Sequence, residues 1–289
     1  MNENQNYVIF TDSGADLTDE MMSHYGLRSV ALNVFMKDTP AQPCTLRGPE
    51  FYRALQSGKI ACTSAANLSS LRTAFGEVLA AGKDILYLAF SSALSCMYQT
   101  GVIAAEELQE EYPDRRIIVV DTRCASMGQG LLVVRTAEQM RSGVSLDEAA
   151  AYAVENRLKT IHWFTVDDLM FLKRGGRVGA VSAFAGSLLG IKPVMNVSDE
   201  GKLIPKAKVR GRRSALLALA AHYGEECTDK SAAVFIAHAD ALQDAEFLRD
   251  TLRNHHGAQH LVIGEIGPVI GAHAGPGTIA LFYPGRERA

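Results

Sequence analysis

The chain has 289 residues, of which 47% are hydrophobic and 21% charged, with a formal net charge of -3. That balance belongs to a folded protein with a sizeable core, and it excludes disordered, collagen-like and mucin-like chains. The basic excess that broad phosphate contacts require is missing, which argues against a nucleic-acid partner. No apolar run reaches the length of a membrane span, so no stable membrane insertion is expected. The polar start, Met1 to Asn6, lacks the basic-then-apolar plan of a secretory signal. Five cysteines with no CxxC pair fit a reducing, cytoplasmic setting better than a disulfide framework.

In chain order, Tyr7 to Phe10 reads as a strand that exits at Thr11-Asp12-Ser13-Gly14. A helix follows from Thr18 to Gly26, with Asp19 and Glu20 in its first turn. Val30 to Phe35 reads as the next strand, and Pro49 and Gly58 bracket a short helix. Thr63-Ser64 precedes the helical stretch Leu68 to Ala81 and is placed to cap it. Ile85 to Phe90 is a continuous apolar strand, as expected where both faces are covered. Ala104 to Tyr112 is helical up to Pro113, Ile117 to Val120 is a strand, and Ala125 to Ser142 is a long helix. Ser145 and Glu148 form a capping box for the helix through Leu158.

After Ile161 to Val166, a further strand, the texture changes to Gly-interrupted stretches. Pro193 to Val197 and Lys202 to Pro205 read as a hairpin around Asp199-Glu200-Gly201. Ala215 to Tyr223 and Ala241 to His255 are helical; Val234 to Ala237, Leu261 to Ile266 and Ile279 to Tyr283 are strands. The expected fold class is α/β, with a mostly parallel N-terminal sheet flanked by helices and a mixed α+β C-terminal part. The expected domains are 1–160 and 161–289, with a ligand cleft between them.

Small polar residues collect at strand exits: Asp12 and Ser13, Ser91 and Ser92, Asp121 and Thr122. Ligands of open α/β sheets sit beyond the carboxyl ends of strands, although each such residue also serves as a turn or cap residue. Ser95 stands at a helix start, where a hydroxyl and free N–H groups suit a carboxylate or phosphate. Lys173-Arg174-Gly175-Gly176-Arg177 places two arginines beside paired glycines, a grip for an anion or a plain helix end. A second basic cluster, Lys206 to Arg213, suits an acidic partner or a solvated face. The segment Gly267 to Gly277 reads as a rigid loop presenting His273. Walker, GxGxxG, HExxH and GxSxG motifs are absent. Asp167-Asp168 is explained by helix capping as readily as by a metal, and neither a catalytic set nor a metal site is expected.

Taken together, Thr11-Asp12-Ser13, Thr63-Ser64, Ser91-Ser92-Ala93-Leu94-Ser95, Asp121-Thr122, Ser126 to Gly130, Asp167-Asp168-Leu169 and Arg174 to Arg177 resemble the DegV family. Gly190-Ile191-Lys192-Pro193, Val209 to Arg212 and Ile266 to Gly277 extend the likeness, which runs from Tyr7 to Tyr283. DegV proteins are the fatty-acid-binding subunits of bacterial fatty acid kinase. The resemblance implies one long-chain fatty acid buried between two α/β domains, with no further cofactor. It implies that Thr63 and Ser95, with Ser92 nearby, hold the carboxylate beside His273, and that Arg174 and His273 lie near the mouth. It implies a non-enzymatic lipid carrier that presents the acid to a separate ATP-dependent kinase, whose acyl phosphate feeds phospholipid synthesis. The rival readings are a stand-alone enzyme acting on a small phosphorylated or carboxylated anion, and an interaction protein with a vestigial cleft. Two departures flank the head-group residues: Ala65-Ala66 stands where the family often has Gln-Pro, and Cys96-Met97 where it often has Gly and a hydroxyl residue.

Overall fold

The computed structural model describes residues 6–178 and 190–288; part of the Gly-interrupted stretch lies outside them. Four strands form one parallel sheet: β1 (Tyr7–Asp12), β2 (Arg28–Val30), β5 (Asp84–Ala89) and β6 (Ile117–Asp121), in the order β2-β1-β5-β6. β5 shows why Ile85 to Ala89 is a continuous apolar run. Ile85, Tyr87 and Ala89 pack with Phe75 of α3 (Leu68–Ala80) and Ala104 of α4 (Met97–Glu111). Leu86 and Leu88 point the other way, toward Val133 of α5 (Ser126–Arg141) and Ala149 of α6 (Leu146–Asn156). The capping box forms: the Ser145 hydroxyl accepts from the Glu148 amide, and the Glu148 carboxylate accepts from the Ser145 amide at 2.8 Å.

A second, six-stranded sheet runs β11 (His260–Glu265), β10 (Ala233–His238), β12 (Ile279–Pro284), β7 (Thr160–Thr165), β8 (Ile191–Val197), β9 (Leu203–Arg210). Only β10 and β11 pair parallel, so this sheet is mixed. One face packs on α8 (Arg212–Glu226) and α9 (Leu242–His256). The other face sends Phe164, Phe235 and Phe282 into the same core cluster as Met127 and Leu131 of α5.

α5 is therefore packed against strands of both sheets, and its glycines explain how. A Cβ at Gly128 would lie 2.6 Å from a Phe282 ring carbon, and one at Gly130 would lie 2.8 Å from the Ala15 carbonyl oxygen. Each glycine weakens an isolated helix by up to about 1 kcal/mol, which close packing on both sides offsets.

Several expectations need correcting. Val30 to Phe35 is not one strand: β2 ends at Val30, and β3 (Asn33–Met36) pairs with β4 (Ala61–Ser64) in a separate antiparallel ribbon. The Leu32 amide donates to the Ser13 hydroxyl at 2.9 Å instead of to a strand neighbour, which turns the chain between them. Thr63 and Ser64 belong to β4 and do not cap α3; Asn67 does, accepting from the Ser70 amide at 2.7 Å. The segment after Gly267 is not a loop. It forms the helix α10 (Pro268–Ala274), with proline in the first turn and Gly275 at φ 78° ending it.

Candidate functional site

Thr63 lies on β4, and β4 packs against α10. α10 also packs on α7 (Leu169–Arg174), so its last turn carries His273 between β4 and the end of α7. The Thr63 Oγ1 and His273 Nε2 atoms are 2.7 Å apart. His273 Nδ1 is buried without a hydrogen-bond partner, pressed against Gly175, the residue that closes α7. A Cβ at Gly175 would overlap Nδ1, so the glycine hydrogen points at that nitrogen. A lone pair tolerates such a contact better than an N–H does. The contacts assign the proton to Nε2, donated to Thr63 Oγ1, which leaves the threonine O–H free to donate elsewhere. Burial, and then the nearby Arg177 charge, pull the His273 pKa down to about 4, so the ring is neutral at pH 7.

These side chains stand at one end of a cavity of about 330 Å³, within the size range of small-molecule sites. Ser95, which accepts from the Met97 amide at 3.4 Å, lines the same cavity, as do exposed Ser64 and Cys96. The remaining walls are mostly apolar and include Leu32, Phe90, Leu94 and Val269.

The six-stranded sheet floors the cavity in two rows. Phe164 and Ala280 pair across β7 and β12, and His162 and Phe282 pair two residues deeper, about 7 Å on. Val197 and Leu203 pair across β8 and β9 in continuation of the deeper row. His162 has a fixed role there. Its Nδ1–H donates to the Thr160 carbonyl at 2.8 Å, its Nε2 accepts from the Ala125 amide at 3.3 Å, and burial holds its pKa well below the usual value.

Asp16 anchors the start of α10. Its carboxylate accepts from the Gly267 amide at 2.9 Å and from the Ser126 hydroxyl at 2.6 Å. Burial pushes its pKa up to about 7.

The structure thus gathers Thr63, Ser95 and His273, and it separates two other expected residues from them. Ser92 is not among the lining residues; its hydroxyl donates to Asp121 at 2.6 Å and its amide to the same carboxylate at 3.1 Å. Arg174 lines a neighbouring open groove with Asp167, Asp168 and Asp244, its guanidinium lying over the Phe171 ring at 5.3 Å. Arg177 is the arginine that lines the cavity. Other strand-exit hydroxyls are taken by backbone carbonyls: Thr122 donates to the Ala89 carbonyl at 2.7 Å and Ser91 to the Gly201 carbonyl at 2.9 Å. Asp168 caps α7, accepting from the Met170 amide at 2.8 Å.

The two departures beside the head-group residues meet. The Ala66 amide, a donor that proline would lack, donates to the Met97 sulfur at 3.2 Å.

A family model described as "Uncharacterised protein, DegV family" matches residues 6–285. A DegV domain-containing protein of Clostridium perfringens is 42% identical over 283 residues, covering 96% of this chain and 97% of its own. A DegV lipid-binding protein of Thermotoga maritima has a solved structure with TM-score 0.85 at 30% identity, covering 98% of this chain and all of its own. A DegV family protein of Thermus thermophilus, described with fatty acid binding, gives TM-score 0.85 at 28% identity, over 96% of this chain and 98% of its own. The chain belongs to the DegV family.

Proposed function

We propose that this DegV-family protein holds a long-chain fatty acid in the cavity floored by β7 and β12. The carboxylate sits at the Thr63, Ser95 and His273 end. In this reading the two sheets form two domains that divide near residue 160, with the acid between them in a cytoplasmic protein. The observation that carries it is the polarity of the cavity. The walls are mostly apolar; Ser126, His162 and Thr278 also line them but are held in hydrogen bonds of their own, while Thr63, Ser95 and His273 line the cavity together with exposed Ser64 and Cys96. A bound acid would bury its tail and keep its head group beside solvent.

The energetics agree with a carrier. Each buried CH₂ contributes about 0.8 kcal/mol before ordering costs, so the tail supplies the affinity. Removing a carboxylate from water is costly unless hydrogen bonds replace hydration. Thr63 O–H, freed by the His273 tautomer, and Ser95 O–H supply donors. The protein orients the head group and leaves chemistry to a partner. A separate ATP-dependent fatty acid kinase would bring the γ-phosphorus to the exposed carboxylate oxygen. A P–O bond forms to that oxygen, ADP leaves, and the product is an acyl phosphate. Arg174, in the open groove beside α7, faces that partner in this reading.

Mass spectrometry of lipid extracted from the denatured protein tests the carrier. A stoichiometric long-chain fatty acid is the expected result; no lipid and no uptake of added acid would overturn it. For the kinase, Arg174→Ala should spare fatty-acid binding and slow acyl phosphate formation. Turnover of a small anion by the purified protein alone would favour a stand-alone enzyme.

A further inference from the structure

Arg288 lies beyond the residues that the family model matches, yet it is only 6% exposed. Its five N–H groups meet five acceptors, all of them neutral. Nε donates to the Thr160 carbonyl at 3.0 Å, and Nη1 to the Arg123 and Ser198 carbonyls at 2.7 and 3.3 Å. Nη2 donates to the Arg157 carbonyl at 2.8 Å and to the Cys124 sulfur at 3.0 Å. Burial pushes the Cys124 thiol up, so the sulfur keeps its proton and donates it to the Arg157 carbonyl at 3.6 Å. A guanidinium taken out of water without an anion is tolerated only where such acceptors replace its hydration.

Arg288 is not itself a lining residue, but its acceptors adjoin the cavity wall. Cys124 precedes Ala125, Ser198 follows Val197, and the Thr160 carbonyl also accepts from His162 Nδ1; Ala125, Val197 and His162 all line the cavity. These segments come from both sheets: the exit of β6, and the strands β7 and β8. They lie away from the head group. The Thr278 hydroxyl donates to the Ala274 carbonyl in the last turn of α10, and Ala280 and Phe282 follow it into the cavity at every second residue. Phe282, paired with His162, is therefore about 13 Å along the strand from that turn. We infer that Arg288 is a positioning residue for the acyl tail: it ties the segments carrying Ala125, His162 and Val197 into one wall and so sets the length of chain that the cavity accepts. This rests on the fatty-acid reading and adds what stops the tail.

The test measures dissociation constants of tetradecanoic, hexadecanoic, octadecanoic and icosanoic acid for wild type and Arg288→Ala. Wild-type affinity should rise with length to a limit and then fall. Arg288→Ala loosens the wall and should move that limit to longer acids. Each further buried CH₂ adds about fourfold in affinity, so the preference for icosanoic over tetradecanoic acid should rise about tenfold or more. A residue that only braced the fold would weaken every acid by the same factor; that result, or an unchanged profile, overturns the assignment alone. A wild type with no length limit overturns it too, because there is then no wall to position. If Arg288→Ala does not fold, a chain ending at Gly285, the last residue of the family match, takes its place and is read in the same way. A wild-type protein that binds none of the acids overturns the fatty-acid reading, and the assignment with it.

Discussion

Gly175→Ala is the sharpest probe of the head-group geometry, because the backbone at this position does not require glycine. Its φ of -72° and ψ of -12° are right-handed helical, open to any L residue. On backbone grounds alone, alanine should stabilise by about 0.4–1 kcal/mol by restricting the unfolded chain. The added Cβ, however, overlaps His273 Nδ1 and lies 3.1 Å from its Cε1. Forcing a carbon into such a packed contact costs about 1–3 kcal/mol. The net expectation is a loss of about 1–2 kcal/mol, or a Tm lowered by about 2–8 °C for a chain of this size. The ring also has to move away from Thr63, so fatty-acid affinity should fall with stability.

The decisive comparison adds the His273→Ala background. With the ring gone, the alanine methyl has room, and Gly175→Ala should raise Tm instead of lowering it. Thermal unfolding of wild type, both single variants and the double variant gives a coupling energy of about 1–3 kcal/mol, the cost of the overlap itself, if the argument holds. The same shift in both backgrounds would refute it, since the methyl would then be acting on something other than the imidazole.

Thr63→Ala removes a donor to a charged head group and leaves His273 Nε2 without its partner. Fatty-acid affinity should drop about 10- to 150-fold in a direct titration, and unchanged affinity would remove Thr63 from the site. Shortening a saturated acid that fills the cavity by two carbons should cost about 1.6 kcal/mol, close to 15-fold in Kd. A flat series of dissociation constants would mean that the tail is not buried. Asp16→Asn tests linkage. Burial pushes the native carboxyl up to about 7 from its ordinary 3.8, so the folded state binds the extra proton between these limits. Its contribution to stability is full below the lower value and is lost as pH rises through the upper one. Relative to Asp16→Asn, the wild-type Tm should therefore decline from pH 4 to pH 7, and parallel curves would contradict the assignment.

What the sequence made legible follows physical range. The apolar run of β5 and the capping box at Ser145 are local patterns, and both appear where periodicity and capping chemistry put them. The alternation that turns His162 and Phe164 to one face of β7 is equally local. Strand-exit hydroxyls are different, because a serine at an exit has a choice of partners. Ser92 found Asp121, 29 residues on, and Thr122 found the Ala89 carbonyl, 33 residues back; neither distance in sequence announces the pairing.

The Thr63–His273 contact spans 210 residues, and only the family resemblance brought the two together beforehand. The paired arginines show the same limit on a smaller scale. Arg174 falls in the last turn of α7, above Phe171 three residues earlier, as helical spacing dictates. Arg177 lies past the Gly175-Gly176 turn and points into the cavity. Charge and composition do not distinguish the two; the turn between them does. Ala66 and Met97 carry the argument furthest. Read singly, each departs from the family pattern beside the head group. Read together, the amide that proline would lack meets the sulfur of Met97, so the two departures form one contact, a pairing that neither position shows alone.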